Sequence, residues 1–326
     1  MPWTAPAVVA LALVFGFFNG ALDSGSLVAT AIASRSLTPR RALALASAAE
    51  LAGPFLFGTA VAATIGSGMI RPEAAEPVLV VAALAGAIGW NLVALSLGLP
   101  TSSTHALVGG LVGAALAGPG IGALMPSGLL LVLAFLVLGP TLGLLAGYIG
   151  LRVVLSAVRG AAPSINIGFR RGQVVTLVVL ALSHGTNDGQ KIMGVIALGL
   201  VAAGVLPSFS VPLWVVAASA GALALGVALG GSRIIRTLGA GLYRVRPVHG
   251  FSAQASAGLF ILAATALGGP VSTGQVVSAA ILGVGAAHRL SAVRWSVAAN
   301  IITAWLVTMP VSALASGGIY WLLTRL

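Results

Sequence analysis

Ser183-His184-Gly185-Thr186-Asn187-Asp188-Gly189-Gln190-Lys191 lies inside an apolar run covering residues 174–205. Asp188 is one of five acidic residues in the chain, and Lys191 is the single lysine. An ionised side chain inside hydrocarbon costs about 3 kcal/mol unless it is paired or hydrated, so such residues mark function. Gly185 and Gly189 flank Asn187-Asp188 and predict a weakened helix there. The rest of the chain reads as a scaffold around this break and a partner like it.

Of 326 residues, 59% are hydrophobic and 6% charged, with a mean hydropathy of +1.10. Apolar runs of about 20 residues follow one another, each long enough to cross a bilayer. This predicts an all-α polytopic membrane protein without a separate soluble domain. The net charge of +11 invites a nucleic-acid reading. However, the arginines fall in short loops, where they act as topology signals, and no nucleic-acid partner is expected. Without cysteine there is no disulfide framework and no thiolate metal site. The first 34 residues carry no Lys or Arg, so no signal-peptide n-region is expected.

In order, the predicted spans cover residues 6–34, 42–65, 77–97 and 127–151, then 174–205, 211–229, 251–267 and 297–323. The first is interrupted by Asn19-Gly20-Ala21-Leu22-Asp23-Ser24-Gly25, the second holds Glu50, and the third holds Asn91. Gly98-Leu99-Pro100-Thr101-Ser102-Ser103-Thr104-His105 opens a Gly/Ala-rich segment ending near residue 118. Gly268-Gly269-Pro270-Val271-Ser272-Thr273-Gly274-Gln275 opens another ending near residue 287. Asn19–Asp23 and His184–Asp188 match at an offset of 165, and the two proline strings match at 170. Two motifs in the same order at nearly one offset divide the chain into two copies of one unit, residues 1–160 and 161–326. Each unit has about five crossings by bilayer-length counting. An odd number inverts the second copy, as in secondary transporters with broken helices at the midplane. The predicted architecture is therefore two inverted-topology repeats with broken helices. The Pro100 and Pro270 segments either cross or form re-entrant hairpins.

Proline at a first helical turn, followed by free backbone N–H groups, makes a positive helix end suited to an oxyanion. Thr101, Ser102, Ser103, Thr104, Ser272 and Thr273 add hydroxyl donors. Two such half-helices facing each other would cradle a tetrahedral anion without an arginine. Asp23 and Asp188 would repel that anion at low dielectric. The conflict resolves if cations or protons bind them together with it, since carboxylates and unwound carbonyls suit hard cations. The candidate substrate residues are thus Asp23, Thr101–Thr104, Asn187, Asp188, Ser272 and Thr273. The candidate cation residues are Asp23, Glu50, Asn187, Asp188 and Gln275. Glu50 is alternatively an inter-helix tie, and Lys191 a local partner of Asp188. A single membrane Ser or Thr more often bonds its own backbone; here the cluster is repeated after proline. Gly139, Gly143 and Gly147 are spaced for helix packing. His105 is either a packing residue or a functional one. His249 and His288, beside arginines, are expected to be solvated.

At these residues the chain resembles the inorganic phosphate transporter (PiT) family, over nearly its whole length. Residues 183–195 (SHGTNDGQKIMGV), 98–113 (GLPTSSTHALVGGLVG) and 270–285 (PVSTGQVVSAAILGVG) carry the resemblance, with residues 42–65 around Glu50. It implies symport of inorganic phosphate with sodium or protons through an inverted-repeat fold, with no cofactor beyond sodium ions. The chain departs from the family at Leu22, Ser26 and Gln254, where polar, asparagine and glutamate residues are usual. Fewer cation ligands remain in the first half, and Asp188, beside Asn187, reads as the better cation site. Some members are thought to carry sulfate. Phosphate is the preferred reading because its P–OH proton can be donated to an ionised aspartate, whereas sulfate offers that aspartate only lone pairs.

Two readings from other classes compete. A metal-dependent intramembrane enzyme would use His184 and Asp188, but no third ligand at metal spacing is evident and an enzyme needs no repeat. A channel fits poorly with paired buried aspartates. The expected partners are inorganic phosphate, sodium or protons, the lipid bilayer and, as an option, a second copy of the chain. The arginine clusters at Arg35–Arg41, Arg152–Arg171, Arg233–Arg246 and Arg289–Arg294 share one side, which places the protein in the cell membrane with both termini outside. Cysteines introduced at Ser36 and Ser164 should therefore react with an impermeant thiol reagent only after permeabilisation. Labelling of either in intact cells contradicts the inverted repeat.

Overall fold

The computed structural model describes residues 3–99, 101–230 and 245–325. Pro100, Arg233, Arg236 and Arg244 lie outside the described residues. The chain is helical: α1 (Thr4–Ala33), α2 (Pro39–Ala52), α3 (Ala60–Ser67), α4 (Pro77–Leu97), α5 (Ser103–Ala117), α6 (Pro126–Ala157), α7 (Ile165–Ala202), α8 (Leu213–Leu229), α9 (Pro247–Ala266), α10 (Thr273–His288) and α11 (Trp295–Leu323). Among the described residues α1, α4, α6, α7 and α11 are each long and apolar enough to cross a membrane. The predicted second span is bent by 75° between α2 and α3. The bend follows Gly53-Pro54, where proline lacks the N–H that would continue the helix.

Helices α5 and α10 contain 15 and 16 residues. At 1.5 Å per residue they reach roughly 22–24 Å, short of the ~30 Å hydrocarbon core. Each folds back from a preceding apolar helix, α4 or α9, through a turn. Gly98 and Gly268 stand at these turns with φ of 68° and 72°, a backbone conformation that glycine adopts without strain. These two residues are 170 positions apart, as are Pro77 and Pro247 at the starts of α4 and α9, and Pro140 and Pro310 inside α6 and α11. The helix starts differ from expectation in one respect. Pro270 lies outside α10, two residues ahead of the cap Ser272, so hydroxyl residues open both short helices.

The expected breaks at the aspartates do not occur: α1 and α7 run as helices through residues 19–25 and 183–191. The glycines there serve close packing instead. A Cβ on Gly20 would lie 2.1 Å from the Leu223 carbonyl oxygen on α8, and one on Gly185 would lie 2.6 Å from the Glu50 carbonyl oxygen on α2. The approach is returned: a Cβ on Gly226 would lie 2.0 Å from the Phe17 carbonyl oxygen, and one on Gly53 would lie 2.5 Å from that of Leu182. Phe17 and Leu182 are again 165 apart. Small residues thus let backbones approach, the usual means of helix association in lipid.

The same reciprocity holds for whole helices. α1 packs on α8 while α7 packs on α2 and α3; α6 packs on α10 while α11 packs on α5. The fifth span of each copy therefore covers the short helix of the other. Gly143 and Gly147 of α6 face the α10 backbone at Val276 and Ala280, confirming their packing role. The result brings α1, α7 and the first turns of α5 and α10 to one place.

Candidate functional site

The site is assembled from α7. About one helical turn separates His184 from Asp188 and Asp188 from Lys191, so the three side chains lie on one face. All three are buried: His184 and Asp188 at 0% exposure, Lys191 at 1%. His184 is the hub. Its Nδ1 lies 2.7 Å from Glu50 Oε1 on α2. Its Nε2 lies 3.4 Å from Asp23 Oδ2 on α1 and 3.5 Å from Asp188 Oδ2. Lys191 Nζ donates to Asp188 Oδ1 at 2.5 Å.

The short helices close the cluster from the other side. Asn19 Nδ2 donates to Asp188 Oδ2 at 3.1 Å, and Ser103 Oγ, in the first turn of α5, donates to Asn19 Oδ1 at 2.6 Å. Thr273 Oγ1, in the first turn of α10, donates to the same Asp188 Oδ2 at 3.1 Å. Lys191 Nζ also donates to Thr104 Oγ1 at 2.7 Å and to the Val271 carbonyl at 2.5 Å. Two helix N-termini, each with backbone N–H groups that lack intrahelical acceptors, therefore converge on Asp188 and its neighbours. Gly274 completes the fit: a Cβ there would lie 2.4 Å from Asp23 Oδ1.

Three carboxylates here face one ammonium and one imidazole. With all three carboxylates ionised and the imidazole protonated, one negative charge is left over in a dehydrated site. The arrangement can therefore hold a cation or proton at the carboxylates, and an oxyanion at the helix ends once that charge is neutralised.

The expected residues divide. Asp23, Asp188, Ser103, Thr104 and Thr273 come together. Glu50 is a tie to His184. Thr101 turns away, accepting from Trp90 Nε1 at 3.0 Å and sharing a 2.5 Å bond with Thr308. Ser102 caps α5 through the His105 N–H, and its hydroxyl lies 2.7 Å from His105 Nδ1. Ser272 caps α10 without a side-chain bond. Asn187 donates to Thr265 Oγ1 and to the Gly269 carbonyl, tying α7 to the α9–α10 turn, while its buried Oδ1 has no hydrogen-bond partner among the described residues. Gln275 lies 3.4 Å from His105 Nδ1, on the wall of a cavity of about 410 Å³ between α6 and α11. His249 is buried, not solvated, with its ring 4.7 Å from that of exposed His288, because the first turn of α9 packs on the end of α10.

Asn19 was absent from the expected site, His184 figured only in the enzyme reading, and Lys191 only as a local pair. The offset of 165 held the missing signal: it aligns Asn19 with His184 and Ser26 with Lys191. The structure also supplies the third ligand that the enzyme reading lacked. Asp23, His184 and Asp188 each offer one ligand atom within 4.8 Å of the others.

Comparison with known proteins decides between these classes. The sequence model of the phosphate transporter family matches residues 19–163 and again 155–316. The chain belongs to the phosphate transporter family. A "probable low-affinity inorganic phosphate transporter" of Rhizobium meliloti is 43% identical over 96% of this chain and 95% of its own length. A Bacillus subtilis protein of the same description is 38% identical over 98% and 97%. A solved structure described as "the sodium-dependent phosphate transporter" superposes with a TM-score of 0.88 at 26% identity, covering 99% of both chains. The protein is thus a multi-pass membrane transporter of this family and not an enzyme.

The His184–Glu50 pair should be energetically coupled. Glu50→Gln or His184→Gln alone leaves a buried group unmatched and should cost about 3–5 kcal/mol. The double variant should cost clearly less than the sum, read by a double-mutant cycle in reversible detergent unfolding. Additive losses contradict the tie.

Proposed function

We propose that the protein is a secondary active symporter that moves inorganic phosphate across the cytoplasmic membrane with sodium or protons. The observation that carries this reading is the convergence of the first turns of α5 and α10 on Asp188 and Asn19. Phosphate binds to the N–H groups and hydroxyls of Ser103, Thr104 and Thr273. The cation sites are the carboxylates of Asp23 and Asp188, that of Asp188 already holding the Lys191 ammonium, with Asn187 Oδ1 as a further acceptor and Glu50 acting through His184. The anion is tolerated only when the surplus negative charge is neutralised, which makes the two fluxes interdependent. Residues 1–160 and 161–326 then act as the two moving repeats around the site, with both termini outside.

Phosphate is favoured over sulfate because it retains a P–OH proton near neutral pH and donates it to the ionised aspartate. Sulfate leaves that acceptor facing negative charge, an unmatched contact costing about 1–3 kcal/mol, or roughly tenfold in affinity. In proteoliposomes, labelled phosphate should accumulate under an imposed sodium or proton gradient. Unlabelled sulfate in about tenfold excess should barely reduce it, and arsenate should compete. Asp23→Asn should lose accumulation but keep phosphate exchange in counterflow. Asp188→Asn, which strands Lys191, should lose both. Strong inhibition by sulfate with arsenate ineffective would assign the protein to sulfate transport.

A further inference from the structure

The ammonium of Lys191 is coordinated like a metal ion. It has three N–H donors, and all three are used: by the Asp188 carboxylate at 2.5 Å, the Thr104 hydroxyl at 2.7 Å and the Val271 carbonyl at 2.5 Å. These oxygens come from α7, from the first turn of α5 and from the extended segment before α10. A carboxylate, a hydroxyl and a main-chain carbonyl converging from separate elements are the ligand types of a hard-cation site.

The internal repeat shows what stands in the same corner of the other half. The offset of 165 pairs Asp188 with Asp23 and Lys191 with Ser26, and the offset of 170 pairs Thr104 with Gly274. Gly274 lies against that pair, since its Cβ would fall 2.4 Å from Asp23 Oδ1 and 3.4 Å from Ser26 Oγ. The Asp23 corner thus keeps a carboxylate and a hydroxyl; the matching position supplies serine in place of lysine, and the basic group beside Asp23 is the His184 imidazole at 3.4 Å.

We propose that Lys191 is a tethered cation: its ammonium permanently fills the coupling-cation position of the second half, so only the Asp23 corner takes a cation from solution. This rests on the reading of the chain as a cation-coupled phosphate carrier. It reverses the expectation that Asp188 is the better site for a diffusible cation. It also explains a lysine that the phosphate chemistry does not need, since its three donors point to protein oxygens. The consequence is one fewer mobile cation per transport cycle than two open corners would require.

The test compares wild type with Lys191→Ala, which leaves room for an ion, and Lys191→Met, which keeps the stem and removes the charge. Phosphate uptake into proteoliposomes is measured at constant pH with choline, sodium or ammonium as the added cation. Labelled sodium bound per chain is measured separately in detergent. Both variants should fall about tenfold or more in choline. Sodium or ammonium should restore uptake by the alanine variant severalfold and leave the methionine variant inactive. The alanine variant should bind one more sodium ion per chain than wild type, a readout that a merely structural lysine would not move. The proposal is overturned if both variants elute as folded protein and respond alike to every cation. It is equally overturned if Lys191→Ala works in choline, or binds no additional sodium. Should Lys191→Met not fold, Lys191→Gln replaces it. A wild type that takes up no phosphate under any gradient sinks the transport reading itself. That result is distinguishable because it precedes any comparison of variants.

Discussion

The structure depends on a charge imbalance held inside hydrocarbon. Asp23, Glu50 and Asp188 are buried together against His184 and Lys191. An isolated buried ion is costly, and a broken buried pair is worse than an apolar replacement. The arrangement persists because every member touches at least one opposite or hydrogen-bonding group drawn from a different helix. The residual negative charge is the useful part. On the proposed symport, that charge would make a cation at the site a condition for an anion there.

The scaffold exists to keep those groups in register. Glycine contacts bring the backbone of α1 within reach of α8, and that of α7 within reach of α2, so each aspartate-bearing helix is clamped by a neighbour. The short helices α5 and α10 begin where the aspartates are, and each is covered by the last long helix of the opposite half. Two short helices whose first turns meet at Asp188 and Asn19 put two positive ends at one place, an arrangement that a single through-going helix cannot make.

Much of this was legible in the sequence. Hydropathy identified the long apolar helices, and offsets of 165 and 170 exposed the repeat. The Ser/Thr strings located the N-termini of α5 and α10 to within a few residues. The glycines around Asp23 and Asp188 misled, because glycine weakens a helix and also permits close backbone approach, and local sequence cannot separate the two. Thr101 and Gln275 lie in the right strings but point away: Thr101 precedes the cap of α5 and bonds Trp90 and Thr308, and Gln275 meets His105. The roles of Asn19, His184 and Lys191 were hidden for a different reason. Each is defined by partners more than 80 positions away, such as Asp23, Thr104 and Asp188.

The most direct measurement of the central claim is the position of the anion. An experimental structure determined with arsenate, using arsenic anomalous scattering, should show a peak within hydrogen-bond distance of the first-turn N–H groups of both α5 and α10. Ser103, Thr104 and Thr273 should line it, and Asp188 should lie next to it. A peak at the arginine-rich loops, or at only one of the two short helices, would contradict the account.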